Sequence, residues 1–287
     1  MTPKSQKHWT GDVSSLLRVG HRFRLDAVDA DATPGYGRRK KDSVDDLVSG
    51  ADELSVLQER LYAASRVETM DAAVLLVLQA MDTAGKGGII RHVVGSVDPQ
   101  GVQLAAFKKP TDDELAHDFL WRIHARLPEP GMIGVFDRSH YEDVLIGKVR
   151  QLAPADEIER RYDAINAFEK QLADGGTRIV KVMLHISSDE QRDRLEERLD
   201  RPDKYWKYNP GDVDERMLWP AYMDAYQTVF DRTSTDHAPW YVVPANRKWY
   251  ARLAVQSLLL DALLDIGPRW PAANFDVDAE RERLRAT

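Results

Sequence analysis

The chain has 287 residues, 43% hydrophobic and 30% charged, enough to bury one large core. A formal net charge of −7 speaks against general nucleic-acid binding, and the lack of cysteine excludes disulfides and thiolate metal sites. The polar N-terminus lacks the apolar core of a signal peptide and no run reaches membrane-spanning length, so a soluble cytoplasmic protein with no membrane partner is expected.

Residues 1–50 are polar and broken, and read as an arm lying on the domain. Its basic turn, Arg38-Arg39-Lys40-Lys41, is either solvated or turned toward an anionic ligand. From Ser43 to Arg66, Val44, Leu47, Val48, Leu54, Leu57 and Leu61 recur at helical spacing, with Ser43 and Asp46 spaced as a capping box. These helices are expected to cover one face of a sheet.

Ala73 to Leu78 is a short aliphatic run of the kind buried on both faces of a parallel sheet. The chain then turns through Ala84-Gly85-Lys86-Gly87-Gly88, and Ile89 to Val94 opens a helix. Strand, glycine turn, lysine and helix form a phosphate-binding arrangement, in which backbone N–H groups and a cation face an anion. Against the pattern G-x-x-x-x-G-K-[ST], Ala80 replaces the first glycine and Gly87 the hydroxyl residue that would reach a metal. Asp82, inside the loop, is the oxygen ligand that can compensate.

Val102 to Phe107 reads as a second strand. Thr111 and Glu114 box the start of a helix running through Trp121 and Ile123 to Pro128. Met132 to Phe136 is a third strand ending on Asp137, placed either to position a metal or to cap the next helix. Pro154 to Leu172 is a long helix closed by Gly175-Gly176, with Ile158, Ile165, Phe168 and Leu172 inward. Arg178 to Ile186 and Tyr241 to Val243 are the last strands, and Trp249 to Leu264 the closing helix. Alternating strands and helices imply a parallel sheet, whose ligands bind at the carboxyl ends of the strands. Asp82, Lys86, Asp137 and Arg138 should therefore share one edge. Between Ser188 and Arg216, two prolines break a cation-rich helix beside Tyr205, Trp206 and Tyr208, the composition of a mobile lid. His117, His124 and His185 read as structural; His140 lies in the turn after Asp137.

Four segments together resemble the second polyphosphate kinase family: Met81–Gly88, Phe136–Asp143, Arg198–Lys207 and Pro239–Tyr250. The resemblance spans roughly Leu16 to Gly267. It implies an α/β fold, a three-layer thymidylate-kinase-like P-loop kinase with a five-stranded parallel sheet and a helical lid at about 190–215. The kinase domain would occupy residues 51–267 and a tail residues 268–287. It also implies reversible transfer of a phosphoryl group from inorganic polyphosphate to AMP or ADP, with Mg²⁺, or Mn²⁺ in its place, and a homo-oligomer. Asp82 and Asp137 would hold metal and acceptor phosphate, Lys86 would bridge the phosphates, and Arg138 would grip one. Ala84, Gly85, Gly87 and Gly88 would cradle phosphate, and Arg198, Arg201 and Lys204 would close over it. The family often carries Asn at the position of Asp137, which makes Asp82 the firmer metal ligand. The turn His140-Tyr141-Glu142-Asp143 and the arm segment Gly35-Tyr36-Gly37-Arg38-Arg39-Lys40-Lys41 resemble the subgroup that accepts both AMP and ADP, and Tyr141, Glu142 and Asp143 would bind the nucleotide. An ATP-dependent nucleotide kinase and a non-catalytic polyphosphate-binding protein are the competing readings.

Overall fold

The computed structural model describes residues 6–287. Five strands form one all-parallel sheet: β1 (Ala73–Ala80), β2 (Val102–Ala106), β3 (Ile133–Asp137), β4 (Thr177–His185) and β5 (Trp240–Pro244), ordered β2-β3-β1-β4-β5. The helices before β4 are α1 (Val13–Leu17), α2 (Ser43–Arg66), α3 (Lys86–His92), α4 (Asp112–Leu115), α5 (Trp121–His124), α6 (Glu142–Val149) and α7 (Ala155–Asp174). After it come α8 (Ser188–Asp200), α9 (Gly211–Met217), α10 (Trp219–Thr233), α11 (Lys248–Ile266) and α12 (Val277–Arg285).

The period-two alternation of the strands splits the core into two layers. Val74, Leu76 and Leu78 of β1 pack with Leu54 and Leu61 of α2, Ile89 of α3 and Leu258 and Leu259 of α11. Leu75 and Val77 face the other side, toward Val144 of α6, Ile158 and Ile165 of α7 and Phe230 of α10. Helix–sheet–helix is the P-loop kinase arrangement, with β1 at its centre. No helix among the described residues is long and apolar enough to cross a membrane.

Several expected elements take a different form. The segment after Thr111 is two short pieces, α4 and α5, rather than one helix. Thr111 and Glu114 do form the capping box, but Asp118 restarts the chain: its carboxylate accepts from the Leu120 N–H at 3.0 Å, and its carbonyl from the Trp121 N–H at 2.8 Å. The Ser43–Asp46 box does not form. Ser43 Oγ donates to the Lys40 carbonyl, while Asp46 is buried and accepts from Tyr36 Oη at 2.6 Å and Arg38 Nη1 at 2.9 Å. Of the basic turn, Arg38 docks the arm by reaching Asp46, Arg39 lies beside Asp42, and Arg39, Lys40 and Lys41 remain exposed. A single helix, α2, runs unbroken through position 50. The arm also shields the open edge of β5, where the Val19 N–H donates to the Trp240 carbonyl at 2.8 Å.

Asp261 of α11 accepts from Gln6 Nε2 at 2.6 Å, which ties the start of the arm to this helix. Burial, opposed by that hydrogen bond and aided by Asp12 and Asp265, pushes its carboxyl up to about 6. The folded value exceeds the unfolded one, so the folded state holds the proton more tightly. The stability this group contributes is full below about pH 4 and is lost as pH rises through about 6. Asp261→Asn is therefore expected to stabilise the fold by about 1–2 kcal/mol at pH 8 and to be neutral near pH 4. Denaturant midpoints at the two pH values test this.

Candidate active site

The carboxyl ends of β1 and β3 deliver the expected residues to one rim. Asp137 closes β3, in register with Leu78 of β1 and Ala106 of β2. It caps no helix, since the N-cap of α6 is Tyr141. Beyond β1 the loop turns through Thr83 at φ +66° and Gly85 at φ +117°, and α3 begins at once on Lys86, three residues before the expected start. Gly85 needs its missing side chain for that φ. A Cβ on Gly87 or Gly88 would meet nothing within 4 Å, so this face of the loop lies open.

Arg138 Nη2 donates to Asp82 Oδ1 at 3.0 Å, joining the two strand ends. Arg138 itself sits at φ +64°, a left-handed conformation costing about 1–3 kcal/mol for a residue with a side chain. Its N–H is held by the Leu78 carbonyl at 3.0 Å. Although burial opposes the charge on its guanidinium, Glu142, Asp82 and Asp137 outweigh burial and hold the group more firmly protonated. Burial pushes the Glu142 carboxyl up, while Arg138, Lys86 and Gln79 pull it back. Asp82, Asp137 and Glu142 thus converge with Lys86 and Arg138. Among the described residues, neither Asp137 nor Lys86 has a side-chain hydrogen bond or close ion pair within the protein.

The loop is held from behind by α8. Arg194, only 5% exposed, donates through Nη1 to the carbonyls of Thr83 (3.0 Å) and Ala84 (2.9 Å), and through Nη2 to those of Ala245 (2.7 Å) and Asn246 (3.0 Å). A trans peptide points its N–H opposite its C=O. With the Ala84 carbonyl drawn toward Arg194, the Gly85 N–H is turned to the other side. Buried Gln191 adds a bond from Nε2 to the Asp82 carbonyl at 3.1 Å. Neither residue was singled out by motif reading, because each lies in a charged helical run whose ordinary fate is a solvated face. The only hint was spacing, Glu190 and Arg194 standing one helical turn apart; the structure pairs them at 2.6 Å.

Farther along, the expected lid cations are engaged with acids. Arg198 donates to the Lys207 carbonyl at 2.8 Å and to Asp212 at 3.3 Å. Arg201 pairs with Asp203 at 2.8 Å and Glu197 at 3.4 Å, and Lys204 pairs with Glu197. Asp212 of α9 is a further acid that sequence reading missed. Burial and the charge of Asp82 push its carboxyl up against the pull of Arg198 and Arg138.

The Tyr141–Asp143 turn departs from expectation. Tyr141 is fully buried, its hydroxyl donating to Glu169 Oε1 at 2.8 Å and accepting from Lys181 Nζ at 2.8 Å, so it presents nothing to a nucleotide. Asp143 faces Arg122 at 3.4 Å and Arg161 at 3.7 Å rather than the rim. Of the three, Glu142 alone joins the charged cluster. His140 is buried against Glu169 at 3.2 Å and belongs to the core.

Residues 39–268 match the model of the family described as polyphosphate kinase 2. The chain is 46% identical over 250 residues to the AMP/ADP-polyphosphate phosphotransferase of Meiothermus ruber, covering 87% of this chain and 92% of that one. It is 45% identical over 237 residues to the ADP-polyphosphate phosphotransferase of Rhodopseudomonas palustris, covering 78% of this chain and 80% of that one. The crystal structure of polyphosphate kinase 2 from Arthrobacter aurescens superposes with a TM-score of 0.95 at 56% identity, covering 97% of this chain and 98% of that one. With the loop, the rim and the strand order all in place, the chain belongs to the polyphosphate kinase 2 family.

Proposed function

We propose that this protein is a polyphosphate-dependent nucleotide kinase that moves the terminal phosphoryl group of inorganic polyphosphate onto AMP and onto ADP, reversibly. The observation that carries this reading is the convergence of Asp82, Lys86, Asp137, Arg138 and Glu142 on one open rim beside a left-handed glycine loop. Two cations there suit the non-bridging oxygens of a phosphate chain. The acceptor is itself a phosphate oxygen and needs little activation. It forms a new P–O bond as the terminal anhydride bond breaks, and the shortened polyphosphate leaves with the electron pair.

A divalent cation fits the donor set. Asp82 and Asp137 offer hard carboxylate oxygens, and the Asp137 carboxylate is not consumed by a hydrogen bond among the described residues. Held by Asp82 and Asp137, Mg²⁺, or Mn²⁺ in its place, would supply positive charge that offsets the phosphates. The chain's own groups do the rest. Lys86 places positive charge on the transferring group, Arg138 is aimed by Asp82, and the Gly85 N–H faces away from Arg194 as a donor.

The lid cations close on the donor by exchanging partners. The Arg201 and Lys204 pairs with Glu197 and Asp203 are solvent-accessible, and such pairs contribute only about 0–1 kcal/mol. A polyanion replaces them at small cost. Arg201→Ala is expected to raise the KM for polyphosphate about five- to tenfold while changing the nucleotide KM less than twofold. Equal effects on both would remove Arg201 from the donor side. For the homo-oligomer, Val44, Val48 and Val56 leave apolar surface exposed on α2 for a subunit contact, which light scattering on the native protein checks.

The decisive experiment is a product time course from AMP, Mg²⁺ and long-chain polyphosphate without ATP. ADP followed by ATP is the expected result. Product only when ATP is the donor would make the protein an ordinary nucleotide kinase, and binding without turnover would make it a non-catalytic binder.

A further inference from the structure

Behind the rim lies a charged network that the transfer chemistry does not use. Lys181 of β4 and Glu169 of α7 are 0% and 1% exposed, between the sheet and the α7–α10 layer. Lys181 Nζ makes three donations: to Glu169 Oε2 at 2.5 Å, to Tyr141 Oη at 2.8 Å and to the Thr233 carbonyl at 2.8 Å. The ammonium also lies 5.3 Å and 5.4 Å from the ring centroids of Tyr141 and Trp240. The second Glu169 oxygen accepts from Tyr141 Oη and contacts His140 Nε2 at 3.2 Å.

Stability alone is a poor reason for such a pair, because apolar residues of similar volume commonly do as well. What distinguishes this one is where it is attached. His140 and Tyr141 belong to the turn that begins with strained Arg138 and ends with Glu142. Tyr141 is the N-cap of α6 and Glu142 its first residue, so fixing the Tyr141 ring fixes where Glu142 starts. The turn is braced from the β1 side as well: Gln79 Nε2 donates to Ser139 Oγ at 3.3 Å, and the Tyr141 N–H donates to the same oxygen at 3.2 Å. A non-glycine residue at φ +64° persists only where its surroundings over-determine it.

We infer that Lys181, Glu169 and Tyr141 are positioning residues for phosphoryl transfer: the buried ion pair grips the Tyr141 hydroxyl and so sets the turn that presents Arg138 and Glu142 to the phosphates. This inference rests on the kinase reading above. The network touches no substrate and acts only through the turn.

The test compares the native protein with Tyr141→Phe, which keeps the ring and cuts the link, and with Lys181→Met combined with Glu169→Gln, which removes both charges together. Steady-state rates with AMP and polyphosphate, melting temperatures and amide hydrogen exchange of residues 138–149 are measured for each. Tyr141→Phe is expected to lower kcat at least about tenfold, with both KM values within twofold. Exchange in 138–149 should quicken at least about tenfold while β4 is unchanged. The double variant should show the same split at a melting temperature near that of the native protein. Native kcat and native exchange in Tyr141→Phe would overturn the inference, as would losses that simply follow a falling melting temperature. If the native protein transfers nothing from polyphosphate, the kinase reading fails, and exchange in 138–149 still decides whether the network sets the turn.

Discussion

Lys86→Ala is expected to lower kcat by at least about a thousandfold, a loss of about 4 kcal/mol of transition-state stabilisation, without lowering the melting temperature. The lysine opens α3 directly after a left-handed glycine, and no acid among the described residues pairs closely with it. Its influence is felt at Glu142, whose carboxyl it pulls down, so its charge is directed across the rim. A group so placed contributes little to folding and much to a transferring phosphate. Asp82→Ala should cost a similar factor by a different route, because it also releases the Arg138 guanidinium held at 3.0 Å. Steady-state rates beside thermal unfolding curves check both. Retention of more than about a tenth of the native rate by either variant would overturn the assigned role.

Arg194→Met is expected to cost about 3–5 kcal/mol of stability and most of the activity together. Its guanidinium satisfies four backbone carbonyls from two loops, and its Nε pairs with Glu190. Methionine restores the volume but none of the donors. The carbonyls of Thr83 and Ala84 are then unpaired in a buried place, and nothing directs the Gly85 N–H toward a phosphate. A chemical-denaturation midpoint together with kcat measures both effects. Stability lost with kcat intact would show that the loop keeps its peptide orientation unaided. This outcome differs from that for Lys86, where chemistry is lost and the fold is kept.

Much of this architecture was legible because each strand carries its own signal. The aliphatic run Ala73–Leu78 and the stretch Met132–Phe136 read as interior strands, and the parallel-sheet rule then brings Asp82, Lys86, Asp137 and Arg138 to one edge. The motifs also announced Glu142, though at the nucleotide rather than in the charged cluster. Other features stayed hidden for identifiable reasons. Gln191, Arg194 and Asp212 matter through bonds or charge between distant segments, which periodicity does not report. Tyr141 was misplaced because an amphipathic tyrosine beside a catalytic turn has the same composition whether its hydroxyl meets ligand or a buried Glu169. The helix after Thr111 was drawn too long because capping-box chemistry gives a start and says nothing of the stop at Leu115.

The three bonds from Gln191 and Arg194 to the phosphate loop have a mechanical consequence. They rivet α8 through Arg194, and Leu195 beyond it is buried, so the lever runs from Leu195 to Asp200, about 8 Å long. A pull at its tip is felt as torque on the peptide planes of Thr83 and Ala84. On the proposed reading, in which the donor chain seats on the lid cations at that tip, seating it and tensioning the loop are one motion.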